Sequence, residues 1–439
     1  MIRKYLPYFV YILIILLPWQ THLWWPRTLG GSVWQYGSWS LYVTDLFIIA
    51  LAIIVFYLYR RIKISWLLVV GVAWLVYNIL TAWWSSNAFL SLYHSAGLIV
   101  AGLFVWLWQN RRLNNQWLLG SVALSGVAPA LLGMYQWISQ NVSASKWLGI
   151  ATQTVGQSGT AVVEGAGRWL RAYGSFPHPN ILAGWLVISL LALGGCLLYY
   201  YRRYYQSPWH LSGRGLWTMI GWWSSLTIML IALLLTFSRS AWLALLVGWL
   251  AMGYLLWRQG WQGERRFYVK TSLIMLLIVL MFASAFGSLI LNRLDGNSRL
   301  QVQSWQERQT GWHEAISLWQ VNSGWGVGAG NYTLALANNY PGQPAWVYQP
   351  VHNLDLLLWA EIGWLGWLLI NILLLLLLWH WWLAYQKVSP QSAPWLQTAL
   401  AALLALLVIG LFDHYLWSLH SGILLSAVVV AWLWRSAAT

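Results

Sequence analysis

The chain has 439 residues, 60% of them hydrophobic and only 8% charged, where a soluble domain carries about a quarter charged residues, so it cannot cover a water-exposed surface. Its formal net charge of +15 would suit nucleic acid, but the basic residues sit between apolar runs, which is a membrane-topology pattern. A single cysteine, Cys196, excludes an intrachain disulfide and reads as a small core hydrophobe.

A bilayer core of about 30 Å asks for roughly 20 apolar residues per spanning helix. The first candidate follows Met1-Ile2-Arg3-Lys4; no small-residue cleavage site comes after it, since Pro18-Trp19-Gln20 is bulky. It is therefore expected to stay as an uncleaved first helix. Continuing along the chain, the apolar runs predict spans at 5–19, 40–59, 64–84, 94–109, 116–137 and 180–201. Six more follow at 216–237, 240–257, 270–291, 353–379, 396–412 and 415–434. The expected fold class is an all-α polytopic membrane protein of about 12 transmembrane helices with large outer loops. Of the 39 Trp and 23 Tyr, many fall at segment ends, as at Trp24 and Trp25, Trp83 and Trp84, and Trp381 and Trp382. Amphipathic rings favour the headgroup level, so most read as interfacial belts; the rest would be stacking platforms for a sugar or a polyprenyl chain.

Orientation follows from the alternating connections. One set holds Arg3, Lys4, Arg60, Arg61, Lys63, Arg111, Arg112, Arg202, Arg203, Arg214, Arg258, Arg265, Arg266, Lys270, Lys387 and Arg435, which is 16 of the 24 basic residues, with one acid, Glu264. The other set holds the remaining eight basic residues and, within it or at its helix ends, the other eight acids. Excess Lys and Arg mark the cytoplasmic side, so both termini are expected there, in a cytoplasmic (inner) membrane. The two long connections, 138–179 and 292–352, then fall outside. Long loops are where binding and catalysis tend to be placed, so the active face is expected to be the outer one. No internal repeat is visible, which argues against an inverted-repeat transporter.

Four polar features lie on that face. In Arg171-Ala-Tyr-Gly-Ser-Phe-Pro-His-Pro-Asn180, two prolines and a glycine punctuate a turn, and Asn180 is placed to cap the next helix; Arg171 and His178 are candidate ligand contacts. Thr236-Phe-Ser-Arg239-Ser-Ala joins two apolar helices with almost no loop. Arg239 there either snorkels to lipid phosphate or grips a substrate phosphate with its planar fork. A third region runs from Arg308 through His313 to the glycines at 324, 326, 328 and 330. Those glycines suggest a closely packed or phosphate-approaching loop, without the following Lys of a P-loop. The fourth is Val351-His352-Asn353-Leu354-Asp355. Asp355, three residues beyond His352, would share its helical face and orient the imidazole; Glu361, nine residues on, would face away. Asp413-His414-Tyr415 reads as a smaller polar island serving packing.

Together, Gly174-Ser-Phe-Pro-His-Pro-Asn180, Thr236-Phe-Ser-Arg239-Ser-Ala, Gly326-Val-Gly-Ala-Gly330-Asn-Tyr and His352-Asn353-Leu354 continuing to Ala360-Glu-Ile-Gly363 resemble the O-antigen ligase and polymerase superfamily of membrane glycan-assembling enzymes. The resemblance covers roughly residues 170–366. It divides the chain into N-terminal helices over 1–137, which carry no signature, and an O-antigen ligase-like region over 138–439. It implies a GT-C-like helical fold and transfer of a glycan from polyprenyl diphosphate, with no metal and no other cofactor. By resemblance, Arg239 and Arg308 hold the diphosphate and His352 serves as base. Arg171 and Arg168 match diphosphate-binding positions less closely, and Asn353, Asp355 and Asn180 are supporting residues. The implied partners are the lipid-linked glycan, an acceptor glycan, lipid or protein, and membrane lipid.

Elementary chemistry agrees. Displacing a lipid diphosphate needs cations where charge develops on the leaving group. It also needs a base for the acceptor hydroxyl, and histidine suits work near neutral pH. A polysaccharide polymerase would differ only in its acceptor. A lipid-linked glycan transporter or flippase would instead require charges deep in several helices, where only Asp45 and Glu361 stand out.

Overall fold

The computed structural model describes residues 2–59, 65–165, 167–202, 213–295, 299–322, 324–390 and 392–436. Arg60, Arg61, Lys63 and Arg203, counted above for orientation, lie outside the described residues, as does Ser323 of the glycine-rich stretch. Every predicted span overlaps helical structure, and two of them, 116–137 and 415–434, are each divided between two helices. The first four are α1 (Ile2–Leu16), α2 (Val43–Tyr59), α3 (Trp66–Leu80) and α4 (Ala88–Trp108). The fifth is two helices, α5 (Asn115–Ser125) and α6 (Val127–Ser139), meeting at Gly126. Then come α7 (Pro179–Tyr200), α8 (Gly213–Leu235), α9 (Arg239–Arg258) and α10 (Gln262–Leu294). The long connection that follows carries α11 (Arg299–Val321) and α12 (Tyr332–Asn339) before α13 (Leu354–Gln386), α14 (Ala393–Phe412), α15 (Tyr415–Ser418) and α16 (His420–Ser436). Among the described residues, nine helices are long and apolar enough to cross a bilayer, and Val43–Tyr59 is a shorter apolar helix. The protein is an all-α polytopic membrane protein.

Side-chain caps set several helix starts. Asn87 accepts from the Leu90 amide, so α4 begins six residues ahead of its predicted start. Asn114 caps α5 through the Gln116 and Trp117 amides. Two helices of 33 residues, α10 and α13, each reach about 50 Å at 1.5 Å per residue. Each is interrupted once, at Phe286 and at Gly363.

The chain forms two compact units. The first comprises residues 1–20, 110–301 and 384–409. Its centre is α7, apolar on all sides, with every residue from Ile181 to Leu198 buried against neighbours that include α5, α8 and α9. Gly195 permits the close approach of Thr398, whose Oγ1 a Cβ at this position would overlap. In contrast, α10 exposes Leu273, Leu276, Leu277, Leu280 and Met281. An apolar face of that size requires lipid as its solvent. At the start of α10, Glu264 accepts from Arg202 at 2.7 Å, and the same guanidinium lies 3.8 Å over the Trp261 ring. The connection at 138–179 holds two antiparallel pairs, Asn141–Val142 with Gln153–Thr154 and Val162–Glu164 with Arg168–Leu170.

The second unit comprises residues 21–109, 302–383 and 410–439. Strands His22–Trp25 and Trp39–Tyr42 pair antiparallel ahead of α2. Its core gathers Tyr77, Leu98, Leu318, Val327, Tyr332, Leu336, Val351, Leu357 and Trp417. Asp45, in the first turn of α2, meets His420 Nε2 at 2.7 Å, so this carboxylate is paired where α16 begins.

Candidate functional site

In the first unit the polar residues converge on the tight turn between α8 and α9. Phe237 has φ +48°, left-handed backbone for a bulky residue, which costs about 1–2 kcal/mol. Its ring is fully buried, near Trp242 and Phe282. Two arginines fix the carbonyls of the two peptides that flank the Phe237 Cα. Arg171 Nε donates to Thr236 O at 2.5 Å, and Arg293 Nε donates to Phe237 O at 3.3 Å. The Ala172 amide adds a bond to Leu235 O. Arg239 is the first residue of α9 and is exposed; its Nη1 donates to Arg293 O at 3.2 Å. Ser238 makes no side-chain cap at the start of this helix, an end where backbone N–H groups and the Arg239 charge would both favour an anion over a cation.

Arg171 is buried, and its Nη2 donates to Asn180 Oδ1 at 2.7 Å. At least two of its donor groups are thus engaged by protein, and they hold the turn that carries Arg239. Asn180 does not cap α7. His178 is the cap, its Nδ1 accepting from the Asn180 amide at 3.1 Å. The reason is Pro179, whose fixed φ and missing N–H suit the first helical position and start the helix one residue earlier. That shift frees the Asn180 side chain for Arg171.

In the second unit, His352 precedes α13 at the end of an irregular segment. Asn353 supplies the cap, accepting from the Leu356 amide at 3.0 Å and donating to Leu411 O at 3.3 Å. Because His352 lies ahead of the cap, it is not on the helix, and the three-residue spacing to Asp355 does not place the two together. Asp355 instead accepts from Trp367 Nε1 at 3.0 Å. The carboxylate facing the imidazole is Asp413, with Oδ1 3.5 Å from His352 Nδ1. Asp413 is buried while His352 is half-exposed, leaving the ring accessible with a carboxylate behind it. The supposed packing island is therefore part of this cluster. His414 stands 5.0 Å from His352 between ring centres, and its Nδ1 meets Ser418 Oγ at 2.7 Å. Burial pushes the His414 imidazole down to about 3, with His352 adding to the effect and Asp413 opposing it. Tyr36 lies edge-on to His414 and donates to Gln349 Oε1 at 3.0 Å; burial, then Asp413, raise its phenol. The ligating atoms of His352, Asp413 and His414 all lie within 4.8 Å of one another, which makes them the metal-capable group among the described residues. Arg308 stands on α11, partly exposed, with no partner among the described residues, and His313 is exposed on the same helix.

The glycine-rich loop resolves into the closely packed alternative. The Val327 and Gly328 amides donate to the carbonyls of Ala360 and Glu361, each at 2.8 Å. The Glu361 carboxylate accepts from Gly330 N at 2.7 Å, Tyr332 N at 3.2 Å and Trp417 Nε1 at 2.7 Å. In return, Trp364 N reaches Gly324 O across the break at Gly363. These loop amides are satisfied internally and are not left facing an anion. Gly326 has φ +79°, and a Cβ would lie 2.4 Å from Glu361 O. Glu361, which looked like an isolated charge in a helix, is the acceptor that ties this loop to α13.

The fold and these two polar clusters define a polytopic helical membrane protein with a histidine backed by a buried carboxylate and an arginine-bearing turn. A family model described as O-Antigen ligase matches residues 224–371, a stretch that contains Arg239, Arg308 and His352. Over that stretch, about a third of the chain, the sequence is similar to the O-antigen ligase family, which points to an enzyme of the membrane glycan-transferase type. Among curated proteins none matches it.

Proposed function

We propose that this protein transfers a glycan from a polyprenyl-diphosphate donor to an acceptor hydroxyl on the outer side of a cytoplasmic membrane, with both chain termini cytoplasmic. The observation that carries the reading is an accessible imidazole backed by a buried carboxylate, His352 and Asp413, within a chain similar to the ligase family over residues 224–371. His352 Nε2 takes the proton of the acceptor hydroxyl as its oxygen attacks the anomeric carbon. The bond from that carbon to the diphosphate oxygen breaks on the opposite face, inverting the centre. The proton ends on the imidazole, and Asp413 at Nδ1 favours the resulting cation. The electron pair leaves with the diphosphate, whose developing charge calls for cations, the role that the family resemblance assigns to Arg239 and Arg308. Arg171 supports this by fixing the turn that carries Arg239, and Asn353 by capping the helix behind His352. No metal is assigned to the reaction, and the ligase-like activity belongs to the region from residue 138 onward.

An in vitro reaction with defined lipid-linked donors and candidate acceptors tests this. Label moving to a distinct lipid, glycan or protein acceptor supports a ligase. A ladder of lipid-linked polymer makes the enzyme a polymerase. Flux of the donor across vesicles without any transfer refutes the enzymatic reading in favour of a transporter.

A further inference from the structure

The first unit contains a cavity of about 260 Å³ that the diphosphate reading does not use. Its walls are the hairpin residues Val162, Val163, Glu164 and Gly165, the end of α10 at Asn292 and Arg293, and Gln301. The volume lies just under the range of about 300–1,000 Å³ typical of drug-sized ligands, the scale of a single sugar ring. The lining mixes two amides, one carboxylate and one guanidinium with two valines. A carboxylate in the wall disfavours a bare anion, whereas paired donors and acceptors beside an apolar surface suit a polyol. Gln301 is only 7% exposed, and its Oε1 has no hydrogen-bond partner. A buried amide oxygen is seldom left unpaired unless a ligand or solvent completes it, and what it lacks is a donor such as a hydroxyl. The hairpin is held to α10 by Asn292 Nδ2, which donates to Glu164 O at 3.3 Å. The wall is also directly bonded to the candidate diphosphate residue, because Arg239 Nη1 donates to Arg293 O at 3.2 Å.

We propose that this cavity is the subsite for the first sugar of the donor, the ring joined to the diphosphate, with Gln301, Asn292 and Glu164 pairing its hydroxyls. The proposal rests on the donor reading above and adds where the sugar is recognised. The test is equilibrium binding to the full-length protein in nanodiscs of two lipids of equal charge. One is a polyprenyl diphosphate carrying a single glucose or N-acetylglucosamine; the other is the methyl ester of the same diphosphate, which lacks a ring. The wild type is expected to bind at least one glycosylated lipid about tenfold more tightly than the ester, the gain of one or two net hydrogen bonds. Gln301→Leu is expected to remove that gain while leaving affinity for the ester unchanged, which also certifies its fold. Asn292→Ala, at an exposed position, should reduce the gain in the same way. Equal wild-type affinity for the ester and both glycosylated lipids overturns the subsite and leaves the donor reading standing. An equal loss for all lipids in Gln301→Leu overturns the assignment to a sugar. If no lipid binds the wild type, the donor reading itself fails, and the subsite with it.

Discussion

Replacing Arg171 by Lys isolates the claim that this residue acts on Arg239 through the turn. Its Nε reaches Thr236 O and its Nη2 reaches Asn180 Oδ1 from a position that is 4% exposed. A lysine keeps the charge but not the fork, so one of the two bonds is lost. A hydrogen bond to a charged group is worth about 1.5–3 kcal/mol. The strained Phe237 turn loses that much support, and Arg239 at its end loses its fixed position. If the whole loss appears in the transition state, the rate falls about 10- to 150-fold at 1.36 kcal/mol per decade. The assay is glycan transfer by purified enzyme, with kcat and KM for the donor measured beside Arg239→Ala. Arg171→Lys is expected to lower kcat with KM near the wild-type value, whereas Arg239→Ala raises KM as well. A monodisperse Arg171→Lys enzyme working at the wild-type rate would refute the reasoning. A KM effect equal to that of Arg239→Ala would instead make Arg171 a direct diphosphate contact.

Three further outcomes are expected. Asp413→Asn keeps an acceptor for the His414 amide but removes the negative charge 3.5 Å from His352; transfer should fall about tenfold or more with little change in melting temperature, both read on the purified protein. His414 is held neutral by burial, its imidazole at about 3 in the folded protein against about 6.5 when unfolded. Between those values the unfolded state binds the extra proton, so this contribution to stability is complete above about pH 6.5 and declines by about 1.4 kcal/mol per pH unit below it. Melting curves from pH 7.5 to 4.5 should be flatter for His414→Asn than for wild type. Gly363 has φ +63° and ψ −174°, a region nearly confined to glycine, and a Cβ would lie 2.1 Å from Gly324 O. Gly363→Ala should cost at least about 1–3 kcal/mol, seen as a lower melting temperature and reduced monodisperse yield.

Much of the architecture is legible in the apolar runs, because a bilayer imposes length and hydropathy on every spanning segment. Each expected span overlaps helical structure, although 116–137 and 415–434 are each divided between two helices, and the family resemblance was readable in motifs around Asn180, Arg239 and His352. What escaped were contacts across long sequence separations and breaks inside helices. Asp413 lies 61 residues beyond His352, counting from 352 to 413, and the only local signal was an acid-histidine pair wedged between two apolar runs. Local spacing pointed to Asp355 on the assumption that His352 is helical, and the Asn353 cap removes that assumption. Glu361 was read as facing away on a continuous helix, which left no reason to match it with a glycine loop some 30 residues earlier. Arg293 and Gln301 belong to no motif, and only the packing of the 162–170 hairpin on α10 gives them significance.

The central claim is that His352 takes the acceptor proton during transfer from a lipid-linked glycan. The measurement that tests it most directly is single-turnover transfer by His352→Ala with a purified polyprenyl-diphosphate-linked donor, alongside equilibrium binding of the same donor. The account predicts transfer slowed by about 10²–10⁴-fold, with donor affinity near that of the wild type. Transfer at the normal rate by a well-folded His352→Ala protein would contradict it.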